Sequence, residues 1–207
     1  MRYLDTHLAE VGALTLQHVE LVAAGLVLAL VLAIPLGVAA ARNPRLDAPI
    51  FGAAGVIYTI PSLALLAVAV KYLGLGFVPV VLVLAAYAQF ILVRAIAAAL
   101  RGVPAAQIDA ARGLGMSAQQ CFLRVEVPLA APVFFGGVRF TIVALIAIAM
   151  LGGYAGAGGL GNEIFFGLQR QYVEQTLAGS IPAAALAILA DAVLRAIENA
   201  ARRRAMG

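Results

Sequence analysis

Side chains that could do chemistry are sparse in this sequence, and most stand alone. His7 and His18 are well separated, with no cysteine or acidic partner at ligand spacing, so they fit a solvated N-terminal helix better than a metal site. The single cysteine, Cys121, cannot form an internal disulfide and has no triad partner beside it. Gly156-x-Gly158-x-x-Gly161 spells a dinucleotide fingerprint, but that fingerprint works only between a strand and a helix of a βαβ unit. Here it follows a long apolar run and reads as a flexible turn: part of a gate, a docking surface, or a plain Gly-rich loop. No phosphate-binding Walker motif occurs, so ATP hydrolysis by this chain is not expected. What remains is three charges in or near apolar segments, Arg94, Arg139 and Asp191, which are functional candidates by default. Three readings of them stay open: a substrate path, a structural Arg–Asp pair, or arginines snorkelling to the membrane surface. Tyr58, Tyr87 and Phe90 could line a path for a cation through cation–π attraction, or could simply pack.

The elements that must position these residues follow from composition. Of 207 residues, 64% are apolar and only 12% charged. A soluble domain is nearer half apolar and a quarter charged, so a soluble enzyme, a disordered chain and a disulfide scaffold are excluded. The net charge of +4 does not form a basic face for nucleic acid. It punctuates apolar segments, which is the pattern of membrane topology.

A spanning helix needs about 20 mostly apolar residues. Five runs qualify, at 21–41, 49–70, 77–100, 132–151 and 177–194, predicting one all-α integral membrane domain over 1–207. The first run is too long, and too far from the N-terminus, for a cleaved signal peptide. There is no internal repeat of the kind that marks inverted-repeat carriers, and few ionisable residues for ion coupling. Arg42, Arg45, Arg101, Arg112, Arg124, Arg195 and Arg202–Arg204 fall on one side of this topology, against Arg2, Lys71 and Arg170 on the other. The positive-inside rule then predicts an external N-terminus and a cytoplasmic C-terminus. Asp5, Glu10, Glu20, Glu163 and Glu174 collect on the outer side.

Residues 101–131 form the longest cytoplasmic stretch. Pro104 can open a helix over Ala105–Arg112. Gly113 and Gly115 stop it and allow a sharp turn. Ser117 can cap a second helix, Ala118–Arg124, which Pro128 ends. A stretch this long and ordered reads as a helix–turn–helix elbow that docks a partner rather than as a plain connection. Cys121 falls within it and should face the cytoplasm.

The spacing Asp109-Ala110-Ala111, three residues, Gly115, nine residues, Val125-Glu126-Val127-Pro128 resembles the EAA loop of ATP-binding-cassette importer permeases. The family has Glu, Ile and Leu where this chain has Asp109, Val125 and Val127. Tyr58-Thr-Ile-Pro-Ser-Leu-Ala-Leu-Leu66, Gly156-Ala-Gly-Gly-Leu-Gly161 and Ile181-Pro-Ala-Ala-Ala-Leu186 are similar to segments of osmoprotectant permeases, which carry glycine betaine, choline or carnitine.

The resemblance implies a type I importer fold like that of methionine permeases, in a prokaryotic inner membrane. Asp109, Ala110, Ala111, Gly115, Val125 and Pro128 would couple it to a cytoplasmic ATPase. Pro61 and Ser62 join Tyr58, Tyr87 and Phe90 as candidates for the substrate path or gate. The implied partners are that ATPase, an external substrate-binding protein and a second permease protomer, identical or related. The chain would bind no cofactor, ATP and Mg being held by the ATPase. The alternatives are a methionine-type permease or a membrane scaffold without transport.

Overall fold

A computed structural model describes residue 3 and residues 6–206, with side chains as far as Arg203. Arg2 and Asp5, counted above on the outer side, and the Arg204 side chain lie outside these. The described residues are helical throughout, joined by short turns, and contain no strand. The dinucleotide reading of the Gly156 motif therefore has no strand to stand on.

The first expected span lies within α1, Leu8–Arg42, which starts well before the apolar run does. The second expected span is not one straight helix. It divides into α2, Pro44–Thr59, and α3, Ser62–Leu73, which meet at 91°. Pro61 causes the break: it offers no N–H, and it pushes Ile60 to an extended conformation at φ −68°, ψ 129°. The third span is α4, Phe77–Arg101.

The elbow holds α5, Ala105–Gly113, and α6, Ala118–Cys121. A π-helical turn, Phe122–Glu126, then leads directly into α7, Val127–Ala149. Pro128 therefore does not end the second elbow helix. It sits in the first turn of α7, where a missing N–H is harmless, and the chain stays helical from Ala118 to Gly153. A turn of 3-10 helix, Met150–Gly153, is followed by the unexpected α8, Gly161–Gln169. The last span lies within α9, Val173–Met206. Among the described residues four helical stretches are long and apolar enough to cross a membrane, and the bent α2–α3 pair would make a fifth.

Helix α4 is the centre of the bundle, in contact with α1, α2, α3 and α7, while α9 closes against α7. The face that α1 turns to α4 carries Gly25, Ala29, Ala33 and Gly37, all buried at four-residue spacing. Small residues so spaced let two backbones approach closely. A methyl added at Gly25 would stand 2.7 Å from Leu84 Cβ, and one at Gly37 2.6 Å from that of Ile96. These pairings make α1 and α4 parallel. The elbow end of the bundle is therefore where α1 and α4 finish and α7 begins.

The Gly156–Gly161 segment packs closely against α1 and the 3-10 turn. Gly158 and Gly159 have φ of +79° and +82°. The Gly159 N–H donates to Gln17 Oε1 of α1 at 3.2 Å, and a methyl at Gly161 would collide with the Met150 carbonyl. His18 closes the same contact. Instead of lying on a solvated helix it is wholly buried, and Nε2 donates to the Ile146 carbonyl at 3.0 Å. Among the described residues no group of histidine, cysteine and acidic side chains could hold a metal.

Candidate functional site

Two regions carry the candidate residues, and the first is the elbow. Helix α5 ends in a Schellman turn. The Gly115 N–H bonds to the Arg112 carbonyl at 2.9 Å, and the Met116 N–H reaches back to that of Ala111 at 3.2 Å. The turn needs a left-handed residue after the helix, and Gly115 supplies it at φ +81°. Helix α6 opens on a full capping box: Ser117 Oγ accepts from the Gln120 N–H, while Gln120 Oε1 accepts from the Ser117 N–H. Both ends of the turn are thus fixed by short-range bonds. The base of the elbow is fixed by packing of Val103 against Ala99 and Ala130.

Within this frame the candidate residues divide. Asp109 and Ala110 are exposed, Asp109 lying 4.0 Å from the equally exposed Arg112. Ala111 faces inward and is 4% exposed, so it supports the elbow from inside instead of offering a docking surface. Leu114 stands 81% exposed beside Asp109 and Ala110, an apolar side chain that the sequence reading passed over. Val125 is half-buried in the π turn, and Pro128 is exposed at the start of α7. Cys121 is buried, so its thiol is not on offer to a reagent, contrary to its expected place on an accessible elbow.

The π turn also carries a residue that sequence reasoning missed. Glu126 is buried and pairs with Arg42 of α1 at 2.5 Å, while Arg42 in turn lies 5.4 Å from the Phe122 ring. Next to it, Arg101 pairs with Asp47 and donates to the Ala40 carbonyl, each at 2.8 Å. The elbow is therefore tied by charge to the ends of α1 and α2. The one available signal was the acidic residue inside the Val125–Pro128 motif.

The second region is the seam between α2 and α4. Tyr87 donates from its hydroxyl to the Ile60 carbonyl, the group left free at the helix break. Its ring lies 5.8 Å from that of Tyr58, and Tyr58 stacks on Phe90 at 4.4 Å. Arg94 follows, its guanidinium 4.7 Å from the Phe90 ring and 5.0 Å from that of Phe51. Tyr58, Tyr87 and Thr141 of α7 border a narrow cleft along this seam. Pro61 is exposed and Ser62 half-exposed at that break, so the structure brings all five path candidates to one locus. Arg139 and Asp191 form a 2.8 Å ion pair between α7 and α9, widened by Arg139–Glu198 at 3.2 Å. Arg94 takes no part in it.

Comparison with known proteins places this geometry. The chain is 35% identical over 199 residues to the choline transport system permease protein OpuBB of Bacillus subtilis (strain 168), covering 96% of this chain and 92% of that one. It is 34% identical, with the same coverage, to the glycine betaine/carnitine/choline transport system permease protein OpuCB of the same organism. A solved structure described as inward-facing conformations of the MetNI methionine ABC transporter superposes with a TM-score of 0.78. That similarity covers 89% of this chain and 93% of the other at 21% identity, a likeness of fold. Residues 33–204 match the family of binding-protein-dependent transport system inner membrane components, and the chain belongs to that family.

Proposed function

We propose that this permease subunit moves a quaternary ammonium osmoprotectant such as glycine betaine, choline or carnitine across the inner membrane, driven by a separate ATPase. The observation that carries the reading is similarity to choline and betaine permeases over 96% of the chain. The elbow is the coupling element. Its exposed Asp109, Ala110 and Leu114 form a small docking face beside a turn whose two ends are both fixed by hydrogen bonds. A push on that face reaches α7 through the continuous helical path and α1 through Glu126–Arg42. ATP and Mg belong to the ATPase, a binding protein delivers substrate to the far end, and a second permease completes the path. The bundle then acts as a two-state element biased by its partners. Orientation follows from charge: the elbow end holds Arg42, Arg101, Arg112 and Arg195 and faces the cytoplasm, with the N-terminus outside. The aromatic seam and the break at Pro61 line the substrate path.

The test is reconstitution of the permease with its ATPase and binding protein in vesicles, with labelled choline, glycine betaine, carnitine and methionine. Uptake of at least one amine, dependent on ATP and on the binding protein, is expected. Uptake of methionine alone would replace this reading with an amino-acid importer.

A further inference from the structure

Arg94 lies seven residues before Arg101, about 10 Å along α4 from the elbow end, among apolar neighbours. Three arginines packed between helices of the bundle are matched to carboxylates. Arg139 holds Asp191 and Glu198, Arg42 holds Glu126, and Arg101 holds Asp47. Arg94 has no ion pair or hydrogen bond among the described residues, and it is exposed on the bundle surface. Its contacts are the Phe51 and Phe90 rings. A planar guanidinium that lies over rings keeps the N–H donors at its edge free.

An unpartnered arginine within a span is costly against hydrocarbon, and by default marks a polar path or a partner. A second observation on the same seam points the same way. Thr59, Ile60 and Pro61 are exposed at the break between α2 and α3, and irregular backbone at membrane depth occurs only where it meets protein or lines water. Tyr87 joins the two features, bonding the Ile60 carbonyl while its ring begins the row that leads through Tyr58 and Phe90 to Arg94. The seam is thus a strip with aromatic rings at one end and a fixed, unneutralised cation at the other.

We propose that Arg94 binds the carboxylate of zwitterionic substrates in the translocation path, and so sets the preference between carboxylated quaternary amines and choline. This rests on the osmoprotectant reading above. Guanidinium and carboxylate match as a two-point fork, and rings that already hold the guanidinium reduce the ordering it must undergo on binding. With the carboxylate at Arg94, the ammonium end lies back along the rings, which attract cations. Choline is cationic without a carboxylate. It gains nothing from Arg94 and is repelled by it.

The experiment uses Arg94→Gln and Arg94→Lys in the full complex, with unaltered ATPase and binding protein. The binding protein is titrated first, and only compounds it binds are compared for uptake. Arg94→Gln is expected to lose about tenfold or more in glycine betaine and carnitine uptake relative to choline, the scale of losing a charged hydrogen bond. Arg94→Lys should recover part of the loss. Where only carboxylated amines are bound, their uptake should fall while stimulation of ATP hydrolysis by loaded binding protein persists. An equal fall for all substrates overturns the proposal, because it would mark Arg94 as a structural residue or a lipid-phosphate anchor. So does unchanged uptake, loss of uptake and stimulation together, or a wild type that moves choline alone. A wild-type complex that moves none of these amines removes the osmoprotectant reading itself, and the proposal with it.

Discussion

Arg42 and Glu126 meet at 2.5 Å across 84 residues of sequence, and their environments are unequal. The Glu126 side chain is 5% exposed and that of Arg42 46%. The pair is the charged tie between the first long helix and the turn that joins the elbow to α7.

This asymmetry predicts unequal costs. Arg42→Ala strands a buried carboxylate, a situation that typically costs about 3 kcal/mol or more. Glu126→Gln leaves Arg42 free to turn to water and should cost nearer 1 kcal/mol. Thermal unfolding of the two purified variants in detergent measures both. Equal losses, or a greater loss for Glu126→Gln, would contradict a tie dominated by burial of the carboxylate.

Gly115 offers a contrast with its neighbour Gly113. A methyl at either meets nothing within 4 Å, so space decides neither substitution. Backbone conformation does. Gly115→Val forces a β-branched residue to φ +81° and should cost about 1–2 kcal/mol. Gly115→Asn should be milder, since Asn tolerates the left-handed region. Gly113→Ala, at the last residue of α5, should be neutral or slightly stabilising. Limited proteolysis of the elbow, with uptake as the functional readout, should rank Val as most disruptive, then Asn, then Ala. Val as harmless as Asn would mean that the Schellman turn does not fix the elbow.

At the opposite end, Tyr3 stacks on His7 at 4.1 Å, and its phenol faces the buried Glu163. Burial, with the Glu163 carboxylate next, pushes the Tyr3 phenol from 10.0 to about 12. In that window the unfolded chain releases the proton while the folded chain keeps it. Stability should therefore fall as pH rises from 10 towards 12 and level off above. Tyr3→Phe should flatten this part of the profile, as followed by unfolding temperature against pH. An unchanged alkaline slope in Tyr3→Phe would show that Tyr3 is not the group responsible.

What was legible in the sequence was local. Ser117 and Gln120 are three residues apart, and Gly115 follows the helix-forming run that ends at Arg112, so the caps and turn of the elbow could be read from spacing alone. The spans followed from apolar runs for the same reason. What escaped required knowing which helices meet. Pro61 is tolerable in a span, and nothing local shows that at its 91° break the freed Ile60 carbonyl accepts a hydrogen bond from Tyr87 of another helix. His18 looked solvated until Ile146 and the glycine segment enclosed it. Asp109, Ala110 and Ala111 form one motif in sequence, but helical periodicity turns the third inward, and only the packing of the elbow shows which one.

That division within the motif yields the sharpest test of the elbow. Ala110 is exposed beside Asp109 and Leu114, while Ala111 is 4% exposed. An arginine at Ala110 can extend into water without disturbing the turn, but it obstructs any partner that must approach the small-residue face. An arginine at Ala111 has no room and must displace the elbow's own packing. Ala110→Arg should therefore keep wild-type unfolding temperature and protease resistance, yet lose co-purification with the ATPase and its stimulation by loaded binding protein. Ala111→Arg should lose elbow protease resistance as well as coupling. Leu114→Ser should follow Ala110→Arg, with a smaller loss, because it removes apolar contact without adding bulk. Normal ATPase capture by Ala110→Arg together with normal uptake would mean that the partner does not dock on this face.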